Sequence, residues 1–194
     1  MFVVPQTMLN SNSLTVADVA ILPENFWYEL LDGRLVVTPP VSAMHQYFLM
    51  QTRMAVAAGR PRDVLAAHSL SVMVDDHNEA RPDVVLVDAR HAFRSPVPVD
   101  DVLLAVEVLT EESVVRDLKD KRRLYARGGI PSYWVVDPRG EHVSFTQFLL
   151  GDDDTYERHI ETTDPVMVDV PWEITLDLPA WTRYRDGCRN RAES

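Results

Sequence analysis

The chain has little of several features that would place it in a specialised class of protein. Its 194 residues include one cysteine, Cys188, which excludes an internal disulfide and is typical of a reducing compartment. No apolar run approaches the length of a membrane span, and no internal repeat or low-complexity tract occurs. Residues 1–10 lack the basic start and the apolar stretch of a secretory signal. We therefore expect a cytoplasmic protein with no membrane partner.

Positive charge is also scarce, because the formal net charge is −11. This balance argues against a generic, non-specific nucleic-acid binder, since neutralising phosphates requires clustered lysine and arginine. Two segments nevertheless carry local clusters of basic residues. They are Arg116, Lys119, Lys121, Arg122, Arg123 and Arg127 in one predicted helix, and Arg183, Arg185, Arg189 and Arg191 near the C-terminus.

The length and composition predict a single domain with its own core. Hydrophobic residues make up 46% and charged residues 25%, which is ordinary for a globular protein. No composition shift or long linker argues for a second domain. We expect one domain over residues 14–182, a flexible N-terminal tail over 1–13 and a polar C-terminal tail over 183–194.

The order of predicted elements indicates a central mixed β-sheet flanked by helices, of α/β or α+β class. Asp32-Gly33 predicts an N-terminal β-hairpin between strands 26–31 and 34–38. A short helix is predicted over 15–21, and a long one begins after the Ser42 cap and ends near Gly59. A polar loop is predicted over 75–79. Further strands are predicted at 64–68, 70–74, 84–87, 102–109, 133–136, 142–149, 156–160 and 172–176.

One carboxylate lies inside the most apolar of these strands. Glu107 has apolar neighbours on both sides in residues 102–109, a run typical of a strand buried on both faces. An ionised glutamate there is costly unless something compensates its charge. Glu107 therefore needs a cation or a proton.

The helix that follows contains an equally misplaced lysine. At about 100° per residue, Val114, Leu118 and Tyr125 form one apolar stripe, and Lys121 falls inside it. Such a lysine either extends past the helix edge to solvent or points at a carboxylate site. Lys119 falls on the opposite, solvated face.

Asp83 opens another apolar strand at a sequence distance that allows it to be a sheet neighbour of Glu107. Two adjacent carboxylates repel unless a divalent cation or a shared proton intervenes, so the pair predicts a hard-metal site. Lys121 would be its third member, assisting deprotonation of water or stabilising charge on a phosphate. The alternatives are that Asp83 caps or meets Arg81, and that Glu107 and Lys121 form a buried ion pair without catalysis.

Three further residues have both a functional and a structural interpretation. Glu29 in the hairpin either points toward the site or faces solvent. His45 on the long helix either orients the site or packs with one hydrogen bond. Asp117 is most simply an acid in the first turn of a helix, where the helix dipole favours it.

Several segments together resemble the Uma-type family of putative restriction endonucleases, which belongs to the PD-(D/E)XK nuclease superfamily. The resemblance covers roughly residues 15–180. The run that ends in Tyr-Trp-Val-Val-Asp-Pro is its most specific part. The matching segments are 28–33, 45–46, 81–83, 106–109, 117–121 and 124–138.

The resemblance implies a restriction-endonuclease-like core and a site that binds Mg²⁺, with Mn²⁺ as a substitute. Its metal ligands would be Asp83, Glu107 and the backbone carbonyl of Val108, and Lys121 would assist catalysis. Glu29, His45 and Asp117 would be supporting residues.

The implied activity is hydrolysis of DNA phosphodiester bonds, with a homodimer suited to cutting both strands. The acidic charge would call for a basic partner protein or a narrow basic patch. The alternatives are a catalytically inactive scaffold or interaction protein, and a metal-dependent phosphodiesterase that acts on RNA or another phosphodiester.

The chain departs from the family pattern at three places. Leu109 occupies the position two residues after the acid, where the superfamily most often has its lysine. Ser132 replaces the glutamate that usually precedes Tyr-Trp. Residues 110–113, Thr-Glu-Glu-Ser, replace a Ser-Pro-Ser turn. The first departure implies that the lysine has moved to the next helix, at Lys121.

Overall fold

A computed structural model describes residues 4–23, 26–37 and 39–193. Within these ranges the chain forms both strands and helices, and the predicted mixed α/β class is confirmed. In chain order the strands are β1 (Tyr28–Leu31), β2 (Arg34–Val37), β3 (Val64–His68), β4 (Val72–Asp75), β5 (Asn78–Ala80), β6 (Val84–Asp88), β7 (Val97–Pro98), β8 (Val102–Val108), β9 (Ser132–Asp137), β10 (Ser144–Leu150), β11 (Tyr156–Thr162), β12 (Val166–Val168) and β13 (Ile174–Leu176).

Five α-helices accompany these strands in the described ranges. They are α1 (Gln6–Leu9), α2 (Val16–Val19), α3 (Ala43–Ala57), α4 (Arg122–Arg127) and α5 (Leu178–Ala192). Short 3₁₀ turns occur at Ala89–His91 and Val99–Asp101, and Arg116–Lys121 is π-helical. Over 4–23, 26–37 and 39–193, no helix is long and apolar enough to cross a membrane.

The main sheet of the described chain has six strands in the order β11-β10-β9-β8-β6-β3. Strands β8 and β9 are parallel, and every other neighbouring pair is antiparallel. Apolar side chains alternate between its faces, so a separate core packs on each side. Leu104, Val106 and Trp134 belong to the core under α3 and α5. Ala105 and Tyr125 belong to the core on the other face, beneath α4.

A second sheet, in the order β2-β1-β5-β4-β7, lies beside α4. Its hairpin β1–β2 turns at Asp32 and Gly33, whose φ angles of 47° and 71° are the positive values that an Asp-Gly turn tolerates. The predicted hairpin is confirmed, although its last predicted residue, Thr38, lies outside the described residues. The predicted polar loop over 75–79 is wrong at its end, because β5 begins at Asn78 and both Asn78 and Glu79 are buried.

Helices lie within both segments that were predicted as tails. Met8 on α1 is buried in a small core under the hairpin, while residues 1–3 lie outside the described part. The predicted polar C-terminal tail is instead most of α5. Arg185, 4% exposed, donates hydrogen bonds to the carbonyls of Pro138, Gly140 and Glu141. The arginines made this segment look solvated, whereas a guanidinium can be buried when carbonyl acceptors satisfy its donors.

Candidate active site

The two predicted acids lie side by side on the main sheet. Val84 on β6 pairs with Val106 on antiparallel β8, so the same register places Asp83 opposite Glu107. Directly opposed residues of antiparallel strands project from the same face. The backbone N–H of Val108 donates to Asp83 Oδ2 at 2.7 Å, which holds this carboxylate against the end of β8.

Lys121 points into the site and is only 2% exposed. Its Nζ lies 2.9 Å from Glu107 Oε1 and 2.7 Å from Glu29 Oε1, with Asp117 Oδ1 at 3.6 Å. The lysine is therefore aimed at carboxylates and does not extend past the helix edge to solvent. Lys119, on the same helical segment, is exposed as predicted.

A π-helical segment orients this part of the chain. Residues 114–127 are continuously helical, and Arg116–Lys121 adopts the wider π geometry with i→i+5 bonding. Asp117 is consequently buried at 2% exposure, whereas Leu118, which the α-helical period placed on the apolar stripe, is 36% exposed. Asp117 lies in the first turn of this segment, as predicted, and its side chain is buried beside Lys121.

Glu29 reaches the same cluster from the second sheet. It is 2% exposed, and besides Lys121 it binds the backbone N–H of Arg81 at 2.8 Å. Arg116 Nε lies 3.8 Å from its other carboxylate oxygen. Glu29 therefore faces the buried cluster, and the solvent-facing interpretation is wrong.

His45 sits in the first turn of α3, where its N–H donates to the Ser42 cap. Its Nε2 lies 3.1 Å from the carbonyl oxygen of Val108 and 3.3 Å from Asp83 Oδ2. Both neighbours accept hydrogen bonds, so Nε2 carries the hydrogen. Burial alone would lower the pKa of His45, but the hydrogen bond and the charge of Asp83 outweigh it and raise the pKa. His45 thus orients Asp83 and Val108.

The cluster around Lys121 holds more acids than cations. Glu29, Glu107 and Asp117 face Lys121 and Arg116 within 4 Å. Burial raises the pKa of Glu107 well above its ordinary value, although Lys121 opposes the shift. Burial alone would lower the pKa of Lys121, but the surrounding carboxylates outweigh this effect and raise it. Both shifts favour the protonated forms of Lys121 and Glu107.

Two buried tyrosines support the cluster, and sequence reasoning assigned neither of them a role in the site. Tyr125 on α4 donates from its hydroxyl to Glu107 Oε1 at 2.8 Å, and Tyr133 donates to the backbone carbonyl of Asp117 at 3.0 Å. Burial raises the pKa of both phenols, so they remain donors at ordinary pH. The available signal was that Tyr125 shares the inward stripe with Lys121.

The acids and the ammonium lie along an open cleft of about 730 Å³. Its walls also include Trp27, Arg81 and Arg116, which sequence reasoning did not assign to the site. Arg81 does not meet Asp83, because Val108 and His45 bind that carboxylate instead. The structural alternative for Asp83, an ion pair with Arg81, is therefore wrong.

The oxygen donors at this position fit a small divalent cation. Lys121 and Tyr125 both bind Oε1 of Glu107, and within the described ranges Oε2 makes no hydrogen bond or ion pair. The Val108 carbonyl has a second lone pair besides the one that His45 uses. No set of three His, Cys, Asp or Glu side chains in the described ranges could enclose a metal ion. Two carboxylates and one carbonyl are few ligands for a metal ion. They suit Mg²⁺, because this ion retains several water ligands and also binds the phosphate of a substrate.

The three departures from the family pattern have clear structural settings. Leu109 is 2% exposed in the core, and Lys121 delivers its ammonium to Glu107 from the following helix. Ser132 accepts a hydrogen bond from Trp134 Nε1 at 3.0 Å, which is a structural role. The 110–113 turn is closed by the hydroxyls of Thr110 and Ser113, each accepting from the other's backbone N–H.

Comparison with a solved structure shows the fold. The chain is similar to a putative nuclease belonging to DUF820 from Anabaena variabilis ATCC 29413, with a TM-score of 0.66 and 14% identity over 87% of this chain and 99% of that one. The fold is therefore that of the restriction-endonuclease-like nucleases. The model of the Uma2 family, described as putative restriction endonuclease, matches residues 16–179, and the chain belongs to this family. No match to a curated protein was found.

Proposed function

We propose that this protein is a Mg²⁺-dependent endonuclease that hydrolyses DNA phosphodiester bonds. The observation that carries the proposal is the Lys121 ammonium, buried 2.9 Å from Glu107, which stands opposite Asp83 in an open cleft. A buried lysine beside two adjacent acids is a costly arrangement for which the surrounding fold must compensate. Such costly charge clusters in clefts are characteristic of catalytic sites.

Asp83, Glu107 and the Val108 carbonyl would hold Mg²⁺, with Mn²⁺ as a substitute. When bound, the ion would polarise the phosphate and activate water for attack. His45 keeps the oxygens of Asp83 and Val108 in place, and Tyr125 does the same for Glu107 Oε1. These contacts prevent the ligands from rotating out of the cleft.

Lys121 acts as a positive charge and hydrogen-bond donor, because its raised pKa keeps it protonated. An ammonium at this position stabilises the negative charge that develops on the phosphate during attack. Glu29 and Asp117 hold it at the site, which supports charge stabilisation as its role in preference to the deprotonation role also considered from the sequence. The lysine would therefore not serve as the general base.

The decisive experiment compares substrates and variants under the same conditions. Supercoiled plasmid, single-stranded DNA and RNA are incubated with Mg²⁺ or Mn²⁺ and the wild type, Asp83→Asn or Lys121→Ala protein. We expect cleavage of DNA by the wild type alone. RNA cleavage without DNA cleavage would assign the RNA alternative. If all three proteins leave every substrate intact with both metals, the nuclease proposal fails.

One observation favours an inactive scaffold as the second candidate: Glu29, Glu107 and Asp117 already find partners in Lys121 and Arg116. Isothermal titration with Mn²⁺ separates the two proposals. Binding that Asp83→Asn abolishes supports the metal site, whereas no binding by the wild type favours the scaffold.

A homodimer would bring two sites to the two strands of a duplex. Light scattering with and without DNA tests whether the homodimer forms. A basic partner protein would offset the net charge of −11.

A further inference from the structure

One wall of the cleft has no part in the reaction proposed above. Trp27, immediately before β1, lines this wall and is 52% exposed. The guanidinium carbon of Arg81 lies 5.6 Å from the ring centroid of Trp27 and 5.4 Å from that of Tyr28. These distances are typical of cation–π contacts, so two aromatic rings hold the arginine at the cleft.

Arg81 has no anionic partner in the part of the chain that the structure describes, although acids lie close by. Its Nε is buried without a hydrogen-bond acceptor, and its guanidinium forms no ion pair there. A buried donor without an acceptor is destabilising, so an anion that enters the cleft gains by binding it. A guanidinium is well suited to bind phosphate in particular.

Arg116 also lines the cleft, but it is paired with acids. Its Nε is buried without a hydrogen-bond acceptor and lies 3.6 Å from Asp117 and 3.8 Å from Glu29. The cleft therefore offers an exposed aromatic ring and the Arg81 guanidinium, which has no ion pair in the described ranges, whereas the Arg116 guanidinium is paired with Asp117 and Glu29. This combination is typical of grooves that bind single strands, where bases stack on aromatic rings and cations follow the backbone.

The overall charge and the most basic helix are poorly suited to binding a regular duplex. Duplex binding relies on many phosphate contacts made by free cations, but the net charge is −11. On the helix with the most basic residues, Arg123 is paired with Asp32 at 3.4 Å and Arg127 with Asp75 at 3.5 Å. These arginines already lie beside acids that would compete with phosphate.

We propose, building on the proposed function, that Trp27 and Arg81 form a subsite for an unpaired nucleotide of a DNA strand. The base stacks on Trp27, and the adjacent phosphate binds Arg81 beside the carboxylates. The preferred substrate is then single-stranded DNA, or a single-stranded segment of a larger DNA, and regular duplex is a poor ligand.

Binding is measured in EDTA by fluorescence anisotropy, so that the result does not depend on cleavage. The ligands are a labelled single strand of mixed sequence, a hairpin duplex of that sequence and the corresponding RNA strand. We expect the DNA single strand to bind about tenfold more tightly than the duplex, and Trp27→Ala to weaken it about tenfold. Arg81→Gln should weaken it similarly and reduce the slope of log affinity against log salt by about 0.7.

The matched controls are Phe93→Ala and Arg94→Gln, an exposed aromatic residue and an exposed arginine outside the cleft wall. They should leave binding unchanged, and thermal melts monitored by circular dichroism verify that every variant folds. Trp27→Phe should bind the single strand as tightly as the wild type. It should lose the part of the tryptophan-fluorescence quenching that stacking of a base on Trp27 causes.

The proposal is overturned if Trp27→Ala and Arg81→Gln bind the single strand as tightly as the wild type, or if the duplex binds equally well. Tighter binding of RNA than of DNA overturns the assignment to DNA. Cleavage assays with Mn²⁺ are scored separately. If the wild type binds the single strand but does not cleave it, the result counts against the proposed function and does not contradict the subsite.

Discussion

Each of the two sheets contributes one acid to the cluster around Lys121, and the two acids differ in their partners. Glu107 on the six-stranded sheet faces Asp83 and keeps one carboxylate oxygen without a protein partner in the described ranges. Glu29 on the five-stranded sheet is already bound to Lys121 and to the backbone of Arg81. We infer that the main sheet supplies the ligands and the smaller sheet holds the ammonium that faces them.

This difference shows why one lysine matters to both sheets. Lys121 is the buried cation that Glu29 and Glu107 share, so it links the hairpin to the main sheet. Buried charges are tolerated only when paired, and removing one partner leaves the others uncompensated. Stability and metal binding should therefore depend on different members of the cluster.

The largest effect is expected for Lys121→Ala, which leaves three buried acids without their shared cation. We expect the free energy of unfolding to fall by about 3–5 kcal/mol, measured by urea denaturation in EDTA. Mg²⁺ should restore part of the loss, because a divalent cation again neutralises the acids. Lys119→Ala, on the exposed side of the same helix, should change stability by less than about 0.5 kcal/mol. Equal effects of the two substitutions would show that the buried pairing contributes little.

The comparison of the sheets is tested most directly by Glu107→Gln and Glu29→Gln. Because we assign Glu107 as a ligand, Glu107→Gln should weaken Mn²⁺ binding about 100-fold and abolish cleavage. Glu29→Gln keeps an acceptor for the Arg81 N–H, so it should lower cleavage about tenfold and preserve Mn²⁺ affinity. Titration calorimetry and cleavage rates measure both quantities. If Glu29→Gln loses metal binding as completely as Glu107→Gln, the smaller sheet also supplies a ligand.

The smallest effect is expected for the tyrosine that supports Glu107. Tyr125→Phe and Tyr133→Phe each remove one buried hydrogen bond and should each cost about 1 kcal/mol of stability. Only Tyr125 binds a proposed ligand, so only Tyr125→Phe should also weaken Mn²⁺ binding, by up to about tenfold. Unfolding curves and metal titrations of both variants provide the measurement. If Tyr125→Phe and Tyr133→Phe bind Mn²⁺ with equal affinity, Glu107 is held in place without Tyr125.

Much of the fold could be predicted because its signals are local. The Asp-Gly turn, the Ser42 cap and the apolar run of β8 each identify an element within a few residues. The C-terminal helix escaped prediction because Arg185 looks solvated in sequence. Its burial depends on three carbonyls that lie more than 40 residues earlier in the chain.

The candidate site was predicted in part for the same reason. Glu107 and Lys121 each contradict an apolar pattern, which makes them visible without any tertiary information. Leu118, which the α-helical period placed on the inward stripe, is 36% exposed, because a π turn changes which residues face inward and has no simple signature in sequence. Glu29 lies in a hairpin whose two faces the sequence does not distinguish.

The amino-acid sequence by itself determined the mixed α/β class, the family resemblance, and the two acids and one lysine that depart from their apolar surroundings. Those features follow from hydrophobic periodicity and the cost of burying charge, both of which act over short stretches of chain. Only the tertiary structure decided that Glu29 and Asp117 share the ammonium, that Tyr125 supports Glu107 and that Arg81 has no acidic partner in the described ranges. Such pairings depend on which strands and helices meet in space, and residues far apart in the chain carry no local record of that meeting.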